Sequence, residues 1–424
     1  MVFLVGTLIL LVLIALSLPV GFALGLAGVF SLLMLVPSGS VLALMAKVVH
    51  GTASSYVILT IPMFVLMAEL LGSGGVAQDL LIACNRLMHR IKGGMAIACV
   101  MAGAVLASAS GSSTASAASI TRAAFPVMQR AGYAASFALG TIAMSGTLAI
   151  MIPPSVSFVL YGVMTENSIG KLFIAGITPG LLTAAGYIVT ITIVLMVKPQ
   201  LGPKPEMEAE LAVAAGNGRV WPMGILLAVV IGGLYSGLAT PTEISAIGAF
   251  GALIISFATG RMNQTGFVAA IGNTLRTTTL IVTIIFGAHL FGYFISFTKI
   301  TDNMLNMIAA SGVSPTVVLL MVVGVYLLLG MIMDQVAIII LTAPITAPLM
   351  VGLGYDPIWW GVIMIKTAEI GLVSPPLGLN VFVACGSAKQ DIKDGFTGVL
   401  PFLVAEFVIL GLLLAFPGIA LWLT

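Results

Sequence analysis

Apolar runs of roughly 20 residues recur along this whole chain, each long enough to cross the ~30 Å hydrocarbon core of a bilayer. No other feature constrains the fold as strongly. Backbone N–H and C=O groups in lipid need internal partners, and an α-helix supplies them within one segment. Composition points the same way: of 424 residues, 60% are hydrophobic and 7% charged, with mean hydropathy +1.21. Soluble domains carry about 25% charged residues, which excludes a soluble enzyme, a secreted disulfide scaffold and a disordered regulator. A net charge of +2 is far from the basic stripe of a nucleic-acid binder. Cys84, Cys99 and Cys385 sit among apolar neighbours without CxxC spacing and read as packing residues. Residues 1–36 lack the basic start and small-residue cleavage site of a signal peptide, and read as two helices broken near Pro19 and Gly21. The expected class is an all-α polytopic membrane protein.

One stretch, residues 198–220 (KPQLGPKPEMEAELAVAAGNGR and Val220), has soluble character and divides the chain into residues 1–197 and 221–424. A single gapless offset of 222 residues relates the two halves. Pro19 then meets Pro241, Phe64 meets Phe286, Pro126 meets Pro348, and Gly132-Tyr133 meets Gly354-Tyr355. Pro153-Pro154 meets Pro375-Pro376, and Lys171, Gly176 and Pro179 meet Lys393, Gly398 and Pro401. Five of the seven prolines in residues 1–197 find a proline partner, where a frequency of about 5% predicts well under one. The chain reads as a duplicated unit.

Each copy reads as five crossings plus one apolar segment with a polar middle, and an odd number of crossings inverts the second copy. Lysine and arginine placement tests this separately. With the N-terminus outside, Arg86, Arg90, Lys92, Arg130, Lys198, Lys204, Arg219, Arg261, Arg276, Lys389 and Lys393 fall inside, eleven of sixteen basic residues. Lys47, Lys171 and Lys299 fall outside, and Arg122 and Lys366 lie within segments. Inverted-topology repeats with a binding site at mid-membrane are a transporter architecture.

Segment 94–128 has a centre, residues 108–119, made almost entirely of Ser, Ala, Gly and Thr. Taken alone it reads first as a small-residue packing face and second as a re-entrant hairpin with its tip near Ser110-Gly111-Ser112-Ser113. Its partner, hairpin segment 316–350, places Asp334 opposite Ser112. An acid inside an apolar segment is costly unless it faces water, a partner or an ion, so two matched tips favour hairpins. Forty-one residues beyond each tip stands a Pro-Pro pair, in broken-helix segments 134–165 and 357–387. Proline removes a donor and clashes with the preceding turn, and unwound backbone is tolerated at that depth where it lines a cavity or binds an ion. Carbonyls and hydroxyls suit a hard cation such as sodium, and the half-helix N-terminus after each pair suits a carboxylate.

Other polar groups have quieter readings. Lys366 and Glu369 are one turn apart and pair, which is structural neutralisation as readily as function. Glu69 and Glu243 sit near helix ends, Lys299 reads as interfacial, and His289 as a packed or hydrogen-bonded core histidine. Trp359-Trp360 reads as an interfacial anchor. Segments 40–52, 74–92, 262–276 and 300–312 are amphipathic and too polar to span, and read as interfacial helices.

Six stretches share one pattern: IPMFVLMAELL (61–71); SASGSSTASAAS (108–119) with GTLAIMIPPS (146–155); TPTEISAIGA (240–249); LTAPITAPLMVGLGYDPIWWG (341–361); and EIGLVSPPLGLNVF (369–382). Together they resemble the large membrane subunit of tripartite ATP-independent periplasmic (TRAP) transporters, over about residues 15–415. Ala149 stands in place of a glycine before the first Pro-Pro, and Ser374 replaces a threonine while keeping the hydroxyl. The resemblance implies an elevator-type fold in a bacterial inner membrane and import of an organic acid anion, a carboxylate or sialic-acid-like acid, driven by Na+. It implies two partners, a small four-helix membrane subunit and a periplasmic substrate-binding protein. One sodium site is then implied at Ser110, Gly111, Ser112, Ser113, Thr147, Ile150 and Pro153, and a second at Met333, Asp334, Gly371, Val373, Ser374 and Pro375. Substrate is implied at Ser113, Thr114, Pro154, Ser155, Pro376 and Asn380. Two sodium ions moving down a tenfold gradient and 100 mV supply roughly 7 kcal/mol, ample for concentrating a monoanion.

The alternative is a stand-alone sodium/dicarboxylate elevator symporter, which shares these features but works without a binding protein. An enzyme is not expected: His50, His89 and His289 lie in separate contexts and no HExxH occurs. Nothing resembles the filter ring of a channel.

Overall fold

A computed structural model describes residues 2–88, 90–204, 207, 220–260 and 262–424, with the side chains of residues 107–110 outside the description. Most of the 198–220 linker, His89 and Arg261 fall outside the described residues. Among the described residues all regular structure is helical. The first half holds α1 (Val2–Ala15), α2 (Val20–Leu33), α3 (Ser38–Ala53), α4 (Thr60–Ser73), α5 (Val76–Met88), α6 (Gly94–Ser110), α7 (Ser113–Arg130), α8 (Ala135–Met151), α9 (Val156–Thr165) and α10 (Ile169–Val197). The second holds α11 (Trp221–Tyr235), α12 (Pro241–Ala258), α13 (Gln264–Thr298), α14 (Ile300–Ser311), α15 (Pro315–Gly330), α16 (Gln335–Gly352), α17 (Pro357–Gly371), α18 (Leu379–Ala388), α19 (Ile392–Ala415) and α20 (Gly418–Leu421).

Local chemistry sets these limits. Thr240 and Glu243 form a reciprocal capping box at the start of α12, with Pro241 at its first position. Asp356 accepts from the backbone N–H of Ile358 and Trp359 at 2.8 and 2.9 Å, again with proline at the first helical position. Asp391 and Asn263 cap α19 and α13 in the same manner. Helix limits in the two halves correspond at the 222-residue offset, most closely α7 Ser113–Arg130 with α16 Gln335–Gly352.

The helices pack as two groups. In one, α13 of the second half runs along α2 of the first, and α12 runs along α4. A Cβ placed on Gly287 would lie 2.1 Å from the carbonyl oxygen of Gly21, so these backbones approach as only small residues allow. In the other group, α6, α7 and α19 surround α8, and α15, α10 and α19 surround α17. The α8–α19 crossing is equally close, at Gly140 and Gly398. Stretches Tyr56–Ser73, Ala135–Thr165, Ile169–Val197, Pro241–Ala258, Gln264–Thr298, Gln335–Gly352 and Ile392–Ala415 are long and apolar enough to cross a membrane. Exposed apolar side chains such as Leu8, Val189, Phe250 and Val404 form an outer surface suited to lipid.

Two expectations are corrected. Residues 262–276 do not form a separate interfacial helix, because α13 continues unbroken through Thr298. Ser54-Ser55 lie between α3 and α4 in the first half and Pro62 stands in the first turn of α4, whereas Arg276-Thr277 and Ile284 occupy the matching positions and none of them breaks a helix. Trp359 and Trp360 are not interfacial anchors. They are 2% and 0% exposed, with Trp359 Nε1 donating to the Leu413 carbonyl at 3.1 Å and Trp360 edge-on to Tyr326.

Candidate functional site

Two helical hairpins and two interrupted helices meet inside the second group. The first hairpin, α6–α7, turns at Gly111 and Ser112; the second, α15–α16, turns over residues 331–334. Gly111 has φ +56°, and a Cβ on it would lie 3.2 Å from the backbone nitrogen of Val156. This tip therefore needs glycine twice, for its backbone conformation and for its approach to the start of α9. The second hairpin reaches its own half's break, since a Cβ on Gly371 would lie 2.4 Å from Gly330 Cα. Helix α8 stops at Met151 and α9 begins at Val156, with Pro153-Pro154 between; α17 stops at Gly371 and α18 begins at Leu379, with Pro375-Pro376 between. Both Pro-Pro bonds are cis. The prolines at 153 and 154 have no N–H to give the carbonyls of Ala149 and Ile150.

The halves exchange partners here. Helix α7 packs against α18, and α16 packs against α9. The side-chain amide of buried Asn380, on α18, donates to the hydroxyl of buried Ser113 at the start of α7. Three polar atoms near the tips and breaks are buried without a hydrogen-bond partner: Ser155 Oγ, Asn380 Oδ1 and Gln335 Nε2. Such groups are costly unless something satisfies them. The N-termini of α7 and α18 meet at the Ser113–Asn380 bond and bring partial positive charge. The ends of α15 and α17 that touch at Gly330 and Gly371 are C-termini and bring carbonyl oxygens and partial negative charge.

The residues singled out in sequence divide between these places. Gly111, half-buried Ser112 and buried Ser113 form the first tip, beside buried Pro153, Pro154 and Ser155. The side chain of Ser110 lies outside the described residues. Thr114 follows in the first turn of α7, 3.4 Å from the Ser112 hydroxyl. Thr147 and Ile150 lie within α8; the Thr147 hydroxyl donates to Met144 O at 2.8 Å and lies 3.0 Å from the Tyr187 hydroxyl. Asp334 is exposed and caps α16 by accepting from Val336 N at 3.1 Å, with half-buried Met333 before it. Buried Gly371, Val373 and Ser374 lead into the second break, where Pro375 and Pro376 are exposed. Ser374 donates to the Ile370 carbonyl at 2.7 Å.

Two polar residues were missed. Glu406 sits in the apolar helix α19 and Tyr187 in α10, both fully buried and bonded to each other. A carboxylate inside a 24-residue apolar helix was a readable signal. The quieter residues have plain roles: Glu69 accepts from Asn273 at 3.1 Å, Glu243 caps, and His289 Nδ1 lies 3.1 Å from Thr52 Oγ1.

Residues 7–419 match the family model of the tripartite ATP-independent periplasmic transporter, DctM component. The chain belongs to this family. It is 36% identical over 400 residues to the C4-dicarboxylate TRAP transporter large permease protein of Pseudomonas aeruginosa, covering 94% of this chain and 93% of that one. It is 30% identical to the ectoine TRAP transporter large permease protein of Halomonas elongata, over 86% of each chain. It is 30% identical to the isethionate TRAP transporter permease protein of Oleidesulfovibrio alaskensis, covering 95% of this chain and 63% of that longer one. The crystal structure of the YdaH transporter of Alcanivorax borkumensis has the same fold, with TM-score 0.65 and 17% identity over 91% of this chain and 90% of that one. As a TRAP large permease the chain is a membrane transport protein, and its relatives are transporter permeases.

Proposed function

We propose that the chain imports an organic acid anion, a carboxylate or sialic-acid-like acid, across a bacterial inner membrane, driven by sodium and by an elevator movement. The observation that carries this reading is the Ser113–Asn380 bond joining the first hairpin to the second interrupted helix, with unpartnered Ser155 Oγ, Asn380 Oδ1 and Gln335 Nε2 nearby. Substrate lies among Ser113, Thr114, Pro154, Ser155, Pro376 and Asn380, where helix N-termini and unpartnered polar atoms suit an anion. One sodium ion lies at Gly111–Ser113 with Ile150 and Pro153, and Thr147 supports it from behind. A second lies at Met333 and Asp334 with Gly371, Val373, Ser374 and Pro375. Helix C-termini meeting at Gly330 and Gly371 favour a cation there. The two halves sit inverted in the membrane, the α2–α13 and α4–α12 pairs form the stationary frame, and the hairpin group moves.

Two partners complete the system: a periplasmic protein that delivers substrate and a small four-helix membrane subunit that braces the frame. Relatives whose names carry dicarboxylate, isethionate and ectoine support a cargo among small charged metabolites. The test is uptake into proteoliposomes under an inward sodium gradient, with binding protein and small subunit added separately and together. Uptake is expected only with all components and sodium. Robust uptake of free acid by this chain alone would instead indicate a stand-alone symporter.

A further inference from the structure

A crevice of about 1190 Å³ lies between the two helix groups, and none of the proposed sodium or substrate residues lines it. It exceeds the ~300–1,000 Å³ of a typical small-molecule pocket and is a gap between packed bodies. One wall is α3, which packs on α13, and carries Lys47, Thr52, His289 and Tyr293. The other is the end of α9 with the second half of α16, and carries Glu166 and Ala347. Glu166 follows the ten residues of α9, on the order of 15 Å of helix from the first Pro-Pro break.

Glu166 is placed against its own chemistry. Its φ is +56°, a conformation that favours Gly or Asn at a helix end. Its carboxylate stands at the C-terminus of α9, the negative pole of the helix dipole. The corresponding helix of the second half, α18, ends on Lys389 in the same left-handed conformation, and that cation suits the dipole. Two unfavourable features at one exposed acid call for a positive partner. The field of the carboxylate reaches His289, so Glu166 faces the α13 wall. His289 is already tied through Nδ1 to Thr52 at 3.1 Å. Among the lining residues Lys47 carries the one permanent positive charge and Glu166 the one negative charge. Neither forms an ion pair or a side-chain hydrogen bond among the described residues.

Opposite charges on facing walls attract across the gap. We propose that Lys47 and Glu166 are the two halves of an electrostatic latch that closes this crevice, drawing the end of α9 onto α3 as the hairpin group moves against the frame. An exposed pair is weak, which suits a contact that must open again in every transport cycle. The latch rests on the proposed movement, and not on the sodium or substrate assignments.

The test uses the full chain in lipid nanodiscs with Cys84, Cys99 and Cys385 replaced. Spin labels go on Ala46→Cys in α3 and Lys171→Cys at the start of α10, both exposed and neither lining the crevice. Pulsed electron-spin distance measurements should show a short and a long population when Lys47 and Glu166 are intact. Glu166→Gln and Lys47→Gln should each cut the short population about two- to fivefold, the range that an exposed pair supports, and Glu166→Lys should cut it further. The exchange Lys47→Glu/Glu166→Lys should restore it, because a direct pair is indifferent to which wall carries which sign. A short population unchanged in Glu166→Lys, or not recovered in the exchange, would overturn the latch while leaving the movement standing. One identical distance in the parent and every variant would overturn the latch together with the movement on which it rests.

Discussion

Asn380 of the second interrupted helix donates to Ser113 at the tip of the first hairpin, tying together residues 267 positions apart. The contact crosses between the two halves at the start of two helices. Replacing Asn380 with Leu removes the donor and leaves a buried hydroxyl, costing about 1–3 kcal/mol. Uptake by the complete system should fall about tenfold or more, while Asn380→Leu still inserts and elutes as a single species. Uptake at the wild-type rate in a folded variant would remove Asn380 from the site.

Asp334 caps α16 through Val336 N at 3.1 Å, so a loss in Asp334→Ala mixes two roles. The cap alone is worth about 0.5–2 kcal/mol. Asparagine caps as well as aspartate but carries no charge. Asp334→Asn should therefore melt near the wild-type temperature yet lose sodium-dependent uptake, and Ser112→Ala should lose it at the other tip. Initial uptake rates against sodium concentration decide this; unchanged sodium dependence in both variants would refute the cation sites.

Gly371 abuts Gly330 so closely that an added Cβ meets Gly330 Cα at 2.4 Å. Backbone, not a flexible side chain, is in the way, so Gly371→Ala must push α15 and α17 apart. The expected destabilisation is about 1–3 kcal/mol, read as a lowered melting temperature. Gly324→Ala, which has open space around it, is the control and should melt like wild type.

Inversion of the halves is tested by single-cysteine labelling with Cys84, Cys99 and Cys385 replaced. A cysteine at exposed Arg90 should be protected from an impermeant reagent added outside intact cells. One at exposed Ser311, at the end of α14, should be labelled. The reverse pattern would overturn the assigned orientation, and equal labelling of both would overturn inversion.

The interrupted helices were legible in sequence because proline acts locally. Pro153-Pro154 and Pro375-Pro376 remove donors wherever the rest of the chain goes, and both helices stop short of them. Polar residues in apolar segments marked both hairpin turns for a similarly local reason. Contacts between helices were not legible. Lys366 pairs with Glu369 three residues away but lies closer to Glu406, forty residues on in another helix. Trp359 and Trp360 have the same composition whether they face headgroups or a core, and only the packing of α19 and Tyr326 decides. The continuity of α13 rested on the absence of a breaker at residues 276–284, which a duplicated pattern with Ser54-Ser55 and Pro62 in the other copy concealed.

That undivided helix also has a mechanical consequence. Its 35 residues give a rod on the order of 50 Å long, well beyond the ~30 Å of hydrocarbon. It must lean or carry its Asn263 end into the headgroups. The corresponding stretch of the first half has a joint at Ser54-Ser55 and can fold to the available depth. One side of the frame is therefore a stiff gauge of bilayer thickness and the other a compliant one. Lipids with shorter or longer acyl chains therefore load the two sides unequally.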